Sequence, residues 1–341
     1  MQALLVLPSF VSSTPFVKRD VLAIPEPCTG DCSGYVHDPS VVYNGQGTYY
    51  RFTTNDEINI ATAPAIGGPW THQGSALPGG SSIDLPGNTD LWAPDVFYYD
   101  GLYYMYYAVS TSGSQNSDIG VATSPSMDVG TWTDHGSIGI PSNNASWNRI
   151  DPNLFQYSTS SPFYLSFGSY WENIFQVPMN TPPLTVSGDA VHLEYNTTVV
   201  SAPDEGSYQF WWNVDGTDYY YLFFSDGLCC NTPSSPGGLP SDGNAYKIMV
   251  CRSDNPNGGF VDQNGVSCLN AGGTLVMAGG GASGINDVYA PGGQGVFYDP
   301  NQASVIIYYH WVNTSVGYDY DQFQFGWNKL DFSSGWPVIV S

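Results

Sequence analysis

The sequence predicts an all-β fold, and within that class a five-bladed β-propeller, on three observations. Hydrophobic residues make up 42% of the 341 residues and aromatic residues 15%, a composition typical of chains built from strands. Short apolar runs are separated by tight turns such as Asp100-Gly101 and Asp215-Gly216, and Asp-Gly is a strong hairpin signal. An acidic residue returns at intervals of roughly 55 residues, which indicates a repeated structural unit.

Each repeat places an acid at the start of an apolar run, and the first two repeats agree in detail. Both read as strand, tight turn and strand, and their third strands match closely, Ile58–Pro64 against Ile119–Pro125. Five such units of about four strands each predict blades arranged around a central channel. A β-sandwich is the alternative, and the matched third strands disfavour it. The recurring acids are Asp38, Asp95, Asp151 and Glu205.

The chain is expected to be a secreted, extracellular protein with one folded unit. Residues 1–19 predict a signal or pro-segment, because the apolar run Ala3–Leu7 is followed by small polar residues and then Lys18-Arg19. Residues 20–341 are predicted to form a single propeller domain.

The six cysteines favour disulfides, which fit an extracellular setting. Cys251 and Cys268 are predicted to pair, because they flank one hairpin-like segment. The partners of the remaining four stay open. Glycosylation sequons are consistent with the same setting and begin at Asn144, Asn196 and Asn313.

The excess of acidic over basic residues limits the classes of partner that the protein is expected to bind. The net charge of −23 repels phosphate backbones and anionic lipid, so we expect neither nucleic acid nor membrane as a partner. No apolar run approaches the ~18 residues that a membrane span needs. We expect a monomer that acts on a neutral ligand.

The predicted fold explains why the acids recur. The first strand of a propeller blade is innermost, so an acid at its start faces the mouth of the channel. Several carboxylates brought together are costly unless they are hydrogen-bonded or share protons, and proteins tolerate that cost mostly at functional sites.

Paired carboxyl groups suit hydrolysis of a glycosidic bond. One carboxyl protonates the leaving oxygen, and a carboxylate on the opposite face acts on water. A third carboxylate near the acid would keep the acid protonated by repulsion. Asp95 is interpreted mainly as a turn cap, because its proline precedes it. Trp92 is the best candidate for a sugar-binding ring, while Trp171, Trp211 and Trp212 fit the pocket or the core equally well.

In its motifs the chain resembles glycoside hydrolase family 43, in particular the fungal endo-acting arabinanases. The resemblance spans residues 35–341. It rests on five short motifs in this order and spacing, His37–Ser40, Leu91–Val96, Ser110–Ser117, Ile150–Asn153 and Glu205-Gly206.

The resemblance implies an inverting mechanism with three roles. Asp38 matches the general base, Glu205 the general acid and Asp151 the carboxylate that orients the acid and raises its pKa. It also implies a polysaccharide substrate, the arabinan side chains of pectin. The implied substrate-binding positions are His37, Trp92, Asp95, Asn116, Ser117 and Asn153.

Two positions depart from the family pattern. Ser207 stands where many relatives have proline, and the segment Pro291–Gln294 lacks the histidine that is associated with a channel ion. We therefore expect no protein-bound metal and no required cofactor. A calcium or other ion in the channel is the alternative, because the side-chain oxygen of Gln294 could face it.

The sequence thus predicts a secreted, inverting, endo-acting α-1,5-arabinanase. An exo-acting α-L-arabinofuranosidase or β-xylosidase on the same fold is the main alternative. A sugar-binding propeller without activity is disfavoured, because lectin propellers repeat equivalent pockets and these acids differ between blades.

Overall fold

The computed structural model describes residues 21–142, 146–198, 203–235 and 237–340. The predicted signal segment and the sequon at Asn144 lie outside these ranges. Twenty strands form five sheets of four, and each sheet takes its strands from one continuous stretch of chain. The prediction of a five-bladed β-propeller is confirmed.

The strands are numbered in chain order, four to a blade. Blade 1 contains β1 (Ser40–Tyr43), β2 (Tyr49–Thr53), β3 (Asn59–Ala63) and β4 (Thr71–Ser75); blade 2 contains β5 (Trp92–Tyr99), β6 (Leu102–Val109), β7 (Asp118–Ser124) and β8 (Thr133–Ser137). Blade 3 contains β9 (Asn153–Phe155), β10 (Phe163–Phe167), β11 (Ile174–Met179) and β12 (Val191–Glu194). Blade 4 contains β13 (Glu205–Val214), β14 (Thr217–Asp226), β15 (Lys247–Ser253) and β16 (Thr274–Met277); blade 5 contains β17 (Val288–Asp299), β18 (Ser304–Asn313), β19 (Gln324–Asp331) and β20 (Val338–Val340).

All strand pairs within the five blades are antiparallel, and two-residue turns join the first two strands of blades 2 and 4. The turn Asp100-Gly101 has φ of 48° and 84°, and Asp215-Gly216 has 49° and 86°. Two successive residues with positive φ are what a two-residue hairpin requires, which is why Asp-Gly occupies both turns.

The core lies between the blades. One apolar cluster packs Phe52 of blade 1 against Tyr107 of blade 2, and the junction of blades 5 and 1 packs Tyr49 against Tyr308. All four rings are almost completely buried. Burying such a side chain contributes about 2–3 kcal/mol, so the ring of blades is held mainly by inter-blade packing.

The ring closes through the N-terminal segment, since all four strands of blade 5 come from the end of the chain. The amide of Glu26 donates to the carbonyl of Trp327 in blade 5, and the amide of Trp70 in blade 1 donates to the carbonyl of Thr29. Residues 26–29 thereby join the last blade to the first.

Three disulfides occur in the described residues. Cys251 pairs with Cys268, which confirms the predicted pair, and the others are Cys28–Cys32 and Cys229–Cys230. No helix in the described ranges is long and apolar enough to cross a membrane. The sequon residue Asn196 is only 8% exposed, and its amide nitrogen donates to Asp204.

Candidate active site

Three carboxyl groups converge at one end of the channel. Asp38 immediately precedes the Pro39-Ser40 entry to β1, Asp151 occupies the same place before β9, and Glu205 is the first residue of β13. The charges of Glu205 and Asp38 both raise the pKa of Asp151, so the three groups interact directly. Asp38 and Asp151 have φ of 43° and 57°. Such left-handed conformations are costly for non-glycine residues and are found preferentially at functional sites.

Asp38 is held in its ionised form. Its Oδ2 lies 2.8 Å from His37 Nδ1 and accepts a hydrogen bond of 3.0 Å from Thr54 Oγ1. Burial alone would raise the pKa of Asp38, but the adjacent His37, His310 and Thr54 outweigh it and lower the pKa to about 2. Asp38 is therefore a carboxylate over the whole range in which a glycosidase works.

His310 fixes the backbone of Asp38. Its Nδ1 accepts a hydrogen bond of 3.1 Å from the Asp38 amide, so the proton of a neutral ring is on Nε2. Burial lowers the pKa of His310 well below its ordinary value, and the neighbouring His37 acts in the same direction. The ring stacks on His37 with centroids 4.0 Å apart. His310 is 1% exposed, so it acts as part of the wall behind the base.

The pKa of Glu205 is shifted in the opposite direction from that of Asp38. Burial raises its pKa and the charge of Asp38 adds to this, while hydrogen bonds from Ser169 and Tyr246 partly offset the rise. Ser169 Oγ donates to Oε2 at 2.5 Å, and Tyr246 OH donates to Oε1 at 3.0 Å. The ring of Tyr246 also stacks on His310 at 5.7 Å, so one side chain links the wall behind Asp38 to Glu205.

Asp151 is the third carboxyl group of the site. Burial raises its pKa well above the ordinary range, and the charges of Glu205 and Asp38 raise it further. Its Oδ2 accepts a hydrogen bond of 3.1 Å from the amide of Gly206. Burial and these two charges thus act together to favour the protonated form of Asp151.

The arrangement shifts the pKa values of the carboxyl groups in opposite directions. The pKa of Asp38 is lowered, whereas those of Glu205 and Asp151 are raised. Titratable groups whose surroundings push their pKa values apart are the usual basis for assigning a general base and a general acid. The site can therefore supply the two proton transfers that hydrolysis of a glycosidic bond needs.

Two glycines make room for this cluster. A Cβ on Gly293, which has φ of 57°, would lie 2.6 Å from Asp38 Oδ1 and 2.7 Å from His310 Nδ1. A Cβ on Gly292 would lie 2.0 Å from the ring of Tyr246. The Gly-Gly pair of blade 5 thus allows β17 to approach the carboxyl groups.

In the structure, Asp95 does not occupy the position in its blade that Asp38 and Asp151 occupy in theirs. The left-handed residue before proline in blade 2 is Ala93, with φ of 46°, so Ala93 is the equivalent of Asp38 and Asp151. Asp95 lies two residues further on, where its Oδ2 accepts a hydrogen bond of 2.7 Å from the amide of Leu154. The near-equal intervals along the chain concealed this shift, and the placement agrees with a structural rather than a binding role for Asp95.

Asp95 belongs to a second series that joins neighbouring blades. Ser40 Oγ accepts from the amide of Val96 at 3.1 Å, and Asn153 Oδ1 accepts from the amide of Gln209 at 2.8 Å. Ser40, Asp95 and Asn153 each occupy the second position after the left-handed residue. Each therefore satisfies a backbone amide of the next inner strand, which a buried polar group must do.

Two of the expected substrate contacts are buried. Asn153 is 3% exposed, lines the central cavity, and its amide nitrogen contacts Asp95 at 3.3 Å. Ser117 is fully buried, and its hydroxyl donates to Asn148 Oδ1 at 2.6 Å. Both side chains contact other protein groups, and their role in substrate binding stays a prediction.

The other expected contact residues are either at least partly exposed to solvent or adjacent to the acids. Asn116 is exposed on the loop between β6 and β7, and Trp92 is half-buried at the start of β5. His37 is 6% exposed and contacts Asp38. Their binding roles remain predictions.

Trp171 differs from the other tryptophans that were considered for the pocket. It is 40% exposed and lies two residues after Ser169, whose hydroxyl contacts Glu205. Trp211 and Trp212 pack against apolar clusters that involve blade 4. Trp171 is therefore the one of these three that is placed to meet a ligand.

The cavity on the channel axis is small, and Asp38 and Asp151 line it. Its volume is about 40 Å³ and all five blades line it, which leaves room for only a few water-sized groups. Gln294 Oε1 accepts from Ser225 at 2.8 Å, and Nε2 donates to the carbonyl of Gly206 at 2.7 Å. Both ends of the Gln294 amide therefore contact protein groups, and the channel ion stays a prediction. Ser207, the other departure, donates to Ser166 at 2.9 Å and links blades 4 and 3.

Several functional neighbours were not predicted. A histidine inside the aromatic run of β18 was a signal for His310, because a polar residue in a buried strand needs a partner. Ser169, Tyr246 and Thr54 carry no local sequence signal. Thr54 and Tyr246 each reach the carboxyl group of their own blade, and Ser169 reaches Glu205 from blade 3.

Comparisons with known proteins agree with this geometry. Residues 32–337 match the sequence pattern of a family described as Glycosyl hydrolases family 43. The chain is 51% identical over 319 residues to arabinan endo-1,5-alpha-L-arabinosidase A of Aspergillus aculeatus, covering 93% of this chain and 94% of that protein.

Solved structures share the fold. The family 43 endo-arabinanase of Bacillus licheniformis superposes with a TM-score of 0.76 at 28% identity, covering 92% of this chain and 99% of that one. An exo-1,5-alpha-L-arabinanase from a bovine ruminal metagenomic library also has a TM-score of 0.76, at 24% identity, with 92% and 99% coverage. The second similarity concerns the fold alone. Enzymes described as endo-acting and exo-acting thus share this architecture.

Proposed function

The chain belongs to glycosyl hydrolases family 43 and is a glycosidase, and from that premise we propose that it cleaves the α-1,5 bonds of arabinan internally. The observation that carries the proposal is the opposed state of two carboxyl groups. The pKa of Asp38 is lowered to about 2, whereas that of Glu205 is raised. The identity of 51% to an enzyme named for endo-action on arabinan supports the substrate.

The proposed mechanism inverts the anomeric carbon in one displacement. Asp38 takes a proton from a water molecule as that water attacks the anomeric carbon. Glu205 gives its proton to the departing glycosidic oxygen, so no charged leaving group forms. Asp151 repels negative charge on Glu205 and thereby favours its protonated form.

Burial and hydrogen bonds provide the remaining control. Tyr246 keeps its proton, since burial raises its pKa well above the ordinary value, and its hydroxyl donates that proton in a hydrogen bond to Glu205. The enzyme is proposed to act as a secreted monomer, with residues 1–19 as its export segment.

Product analysis on debranched arabinan tests the endo-action. Internal cleavage produces a ladder of oligosaccharides early in the reaction, with arabinose appearing late. Arabinose as the only early product would identify an exo-acting enzyme instead. Proton NMR of the first turnover tests the stereochemistry, because inversion releases the β-anomer of the new reducing end before mutarotation. Initial release of the α-anomer would rule out the single displacement.

A further inference from the structure

The imidazole of His37 lies between the general base and a disulfide of two neighbouring cysteines. Its Nδ1 is 2.8 Å from Asp38 Oδ2. Its Nε2 is 3.2 Å from Cys230 Sγ and 3.5 Å from Cys229 Sγ. The two cysteines belong to the loop 227–246, which follows β14 on the face that carries the acids. The ring therefore bridges the disulfide and the carboxylate.

Stacking fixes the plane of the His37 ring. The rings of His310 and Tyr320 lie 4.0 Å and 4.8 Å away at interplanar angles of 18° and 23°. The two nitrogen edges of the ring meet different groups, the Asp38 carboxylate at Nδ1 and the two sulfurs at Nε2. These edge contacts oppose a displacement of the ring parallel to its plane.

This disulfide is badly suited to stabilising the fold. A disulfide stabilises chiefly by closing a loop of the unfolded chain, and its effect grows with loop length. Cys251 and Cys268 are 17 residues apart, whereas Cys229 and Cys230 are adjacent. The bond between neighbours closes no loop of chain, but it does tie both sulfurs into one small ring. Its position against His37 indicates a local role.

We propose that the Cys229–Cys230 disulfide is a positioning element for the general base, holding His37 where Nδ1 donates to Asp38. This inference rests on the proposed function, in which Asp38 activates water. Sulfur is a weak hydrogen-bond acceptor, so the disulfide acts mainly as a rigid surface. The stronger hydrogen bond of the ring therefore stays with Asp38.

The test compares two double variants. Cys229→Ser/Cys230→Ser removes the bond beside His37, and Cys28→Ser/Cys32→Ser removes a bond of short separation in the N-terminal segment. We expect the first to lower kcat on debranched arabinan roughly tenfold with little change in KM, since small displacements of catalytic groups are costly. The second should leave kcat unchanged. Thermal melting should show both variants folded, and an unfolded Cys229→Ser/Cys230→Ser protein would make the disulfide structural and overturn the proposal.

The pH profile separates positioning from a general loss of structure. If His37 moves, the pKa of Asp38 rises, so the acid limb of kcat/KM should move to higher pH in Cys229→Ser/Cys230→Ser. An acid limb at the wild-type position would contradict the proposal. Asp38 is faced by titratable groups from several elements, and they are the same in both double variants: His37, His310, Asp151, Glu205, Tyr246 and Tyr320.

A double-mutant cycle identifies His37 as the intermediary. His37→Ala alone should lower kcat, and adding Cys229→Ser/Cys230→Ser should then cause no further loss, since the group that the disulfide positions is gone. If the fold-losses in kcat caused by His37→Ala and by the cysteine substitutions multiply in the combined variant, the disulfide acts through a group other than His37. Asp38→Asn, measured in parallel, tests the premise. If Asp38→Asn retains turnover, the proposed function fails, whereas an inactive Asp38→Asn with additive cysteine and His37 effects overturns only this inference.

Discussion

The amide of Gly206 donates to Asp151 Oδ2 at 3.1 Å, so Asp151 is tied to the residue that directly follows Glu205. The contact joins the start of β13 in blade 4 to the entry of β9 in blade 3. It ties the Asp151 carboxyl group to the backbone beside Glu205, whose charge raises the pKa of Asp151. The electrostatic surroundings of Glu205 therefore depend on how the two blades pack, and each contact to Glu205 should have its own effect on the pH profile.

Replacing Asp151 should make Glu205 a stronger acid. In Asp151→Asn the repelling carboxylate is gone, so the pKa of Glu205 falls and the basic limb of kcat/KM moves to lower pH. Turnover at neutral pH should fall about 10²-fold, because less Glu205 carries the proton. A pH–rate profile on debranched arabinan measures both effects. A basic limb that stays in place would show that Asp151 does not tune Glu205.

Removing the hydroxyl of Ser169 should move the basic limb of kcat/KM to higher pH, opposite to the effect of Asp151→Asn. The hydrogen bond from Ser169 lowers the pKa of Glu205, so its loss in Ser169→Ala raises that pKa. The basic limb is expected at higher pH than in the wild type. Ser166→Ala serves as a control, since Ser166 is also buried in blade 3 but its hydroxyl accepts from Ser207. Identical profiles for Ser169→Ala and wild type would contradict the assignment.

Substrates with different leaving groups should separate the acid from the base. The kcat of Glu205→Gln on arabinan is expected to be about 10³-fold lower than that of the wild type, because the departing oxygen of arabinan needs a proton. It should retain much more activity on a dinitrophenyl arabino-oligosaccharide, since that leaving group needs none. Asp38→Asn should be inactive on both, because water still requires a base. Equal losses for Glu205→Gln on both substrates would remove Glu205 from the acid role.

His310 should prove important to turnover although it is remote from the ligand. His310→Leu leaves the buried amide of Asp38 without an acceptor, a loss that costs about 1–3 kcal/mol. His310→Asn can offer an oxygen near the position of Nδ1. We expect His310→Leu to lower kcat more than His310→Asn at similar KM. The kinetics of the two variants, with their melting temperatures, measure this difference, and equal kcat values would count against a positioning role.

The stability of the fold should decrease from mildly acidic to alkaline pH. Burial raises the pKa of Asp95 and of Asp204 to about 7, and it raises that of Glu194 well above its ordinary value. A carboxyl whose pKa is higher in the folded state stabilises the fold at low pH and loses this contribution as the pH rises through the folded pKa. Tm should therefore be higher at pH 5 than at pH 8, and calorimetry across this range measures the difference.

Glu194→Gln isolates one contributor to this slope. Both carboxyl oxygens of Glu194 are buried, and the charge of Asp204 and a side-chain hydrogen bond with it both favour the protonated form of Glu194. The amide stays neutral at every pH, so the variant should melt at higher temperature than the wild type at pH 8. Glu172→Gln makes the same change on a less buried glutamate of blade 3 and should leave Tm unaltered. A Glu194→Gln protein that melts below the wild type at pH 8 would refute the explanation.

Local pattern was sufficient for the architecture and for the three acids. Asp-Gly turns, alternating apolar runs and matched third strands act over a few residues, so five blades could be predicted from the chain alone. The pair Cys251–Cys268 could be predicted for the same reason, because both flank one segment of blade 4. The family resemblance was carried by short motifs around Asp38, Asp151 and Glu205, and the match over residues 32–337 confirms it.

Only the tertiary structure decided which groups control those acids. Tyr246 reaches Glu205 from 41 residues away, and His310 reaches the amide of Asp38 from 272 residues away. The first contact depends on how the strands of blade 4 pair and the second on how blades 5 and 1 pack, which no local pattern records. Asp95 falls in the inter-blade series because backbone conformation rather than spacing sets the register of each inner strand. The sequence by itself determined which carboxyl groups are present, and the packing of strands and blades around them determined the direction in which the pKa of each is shifted.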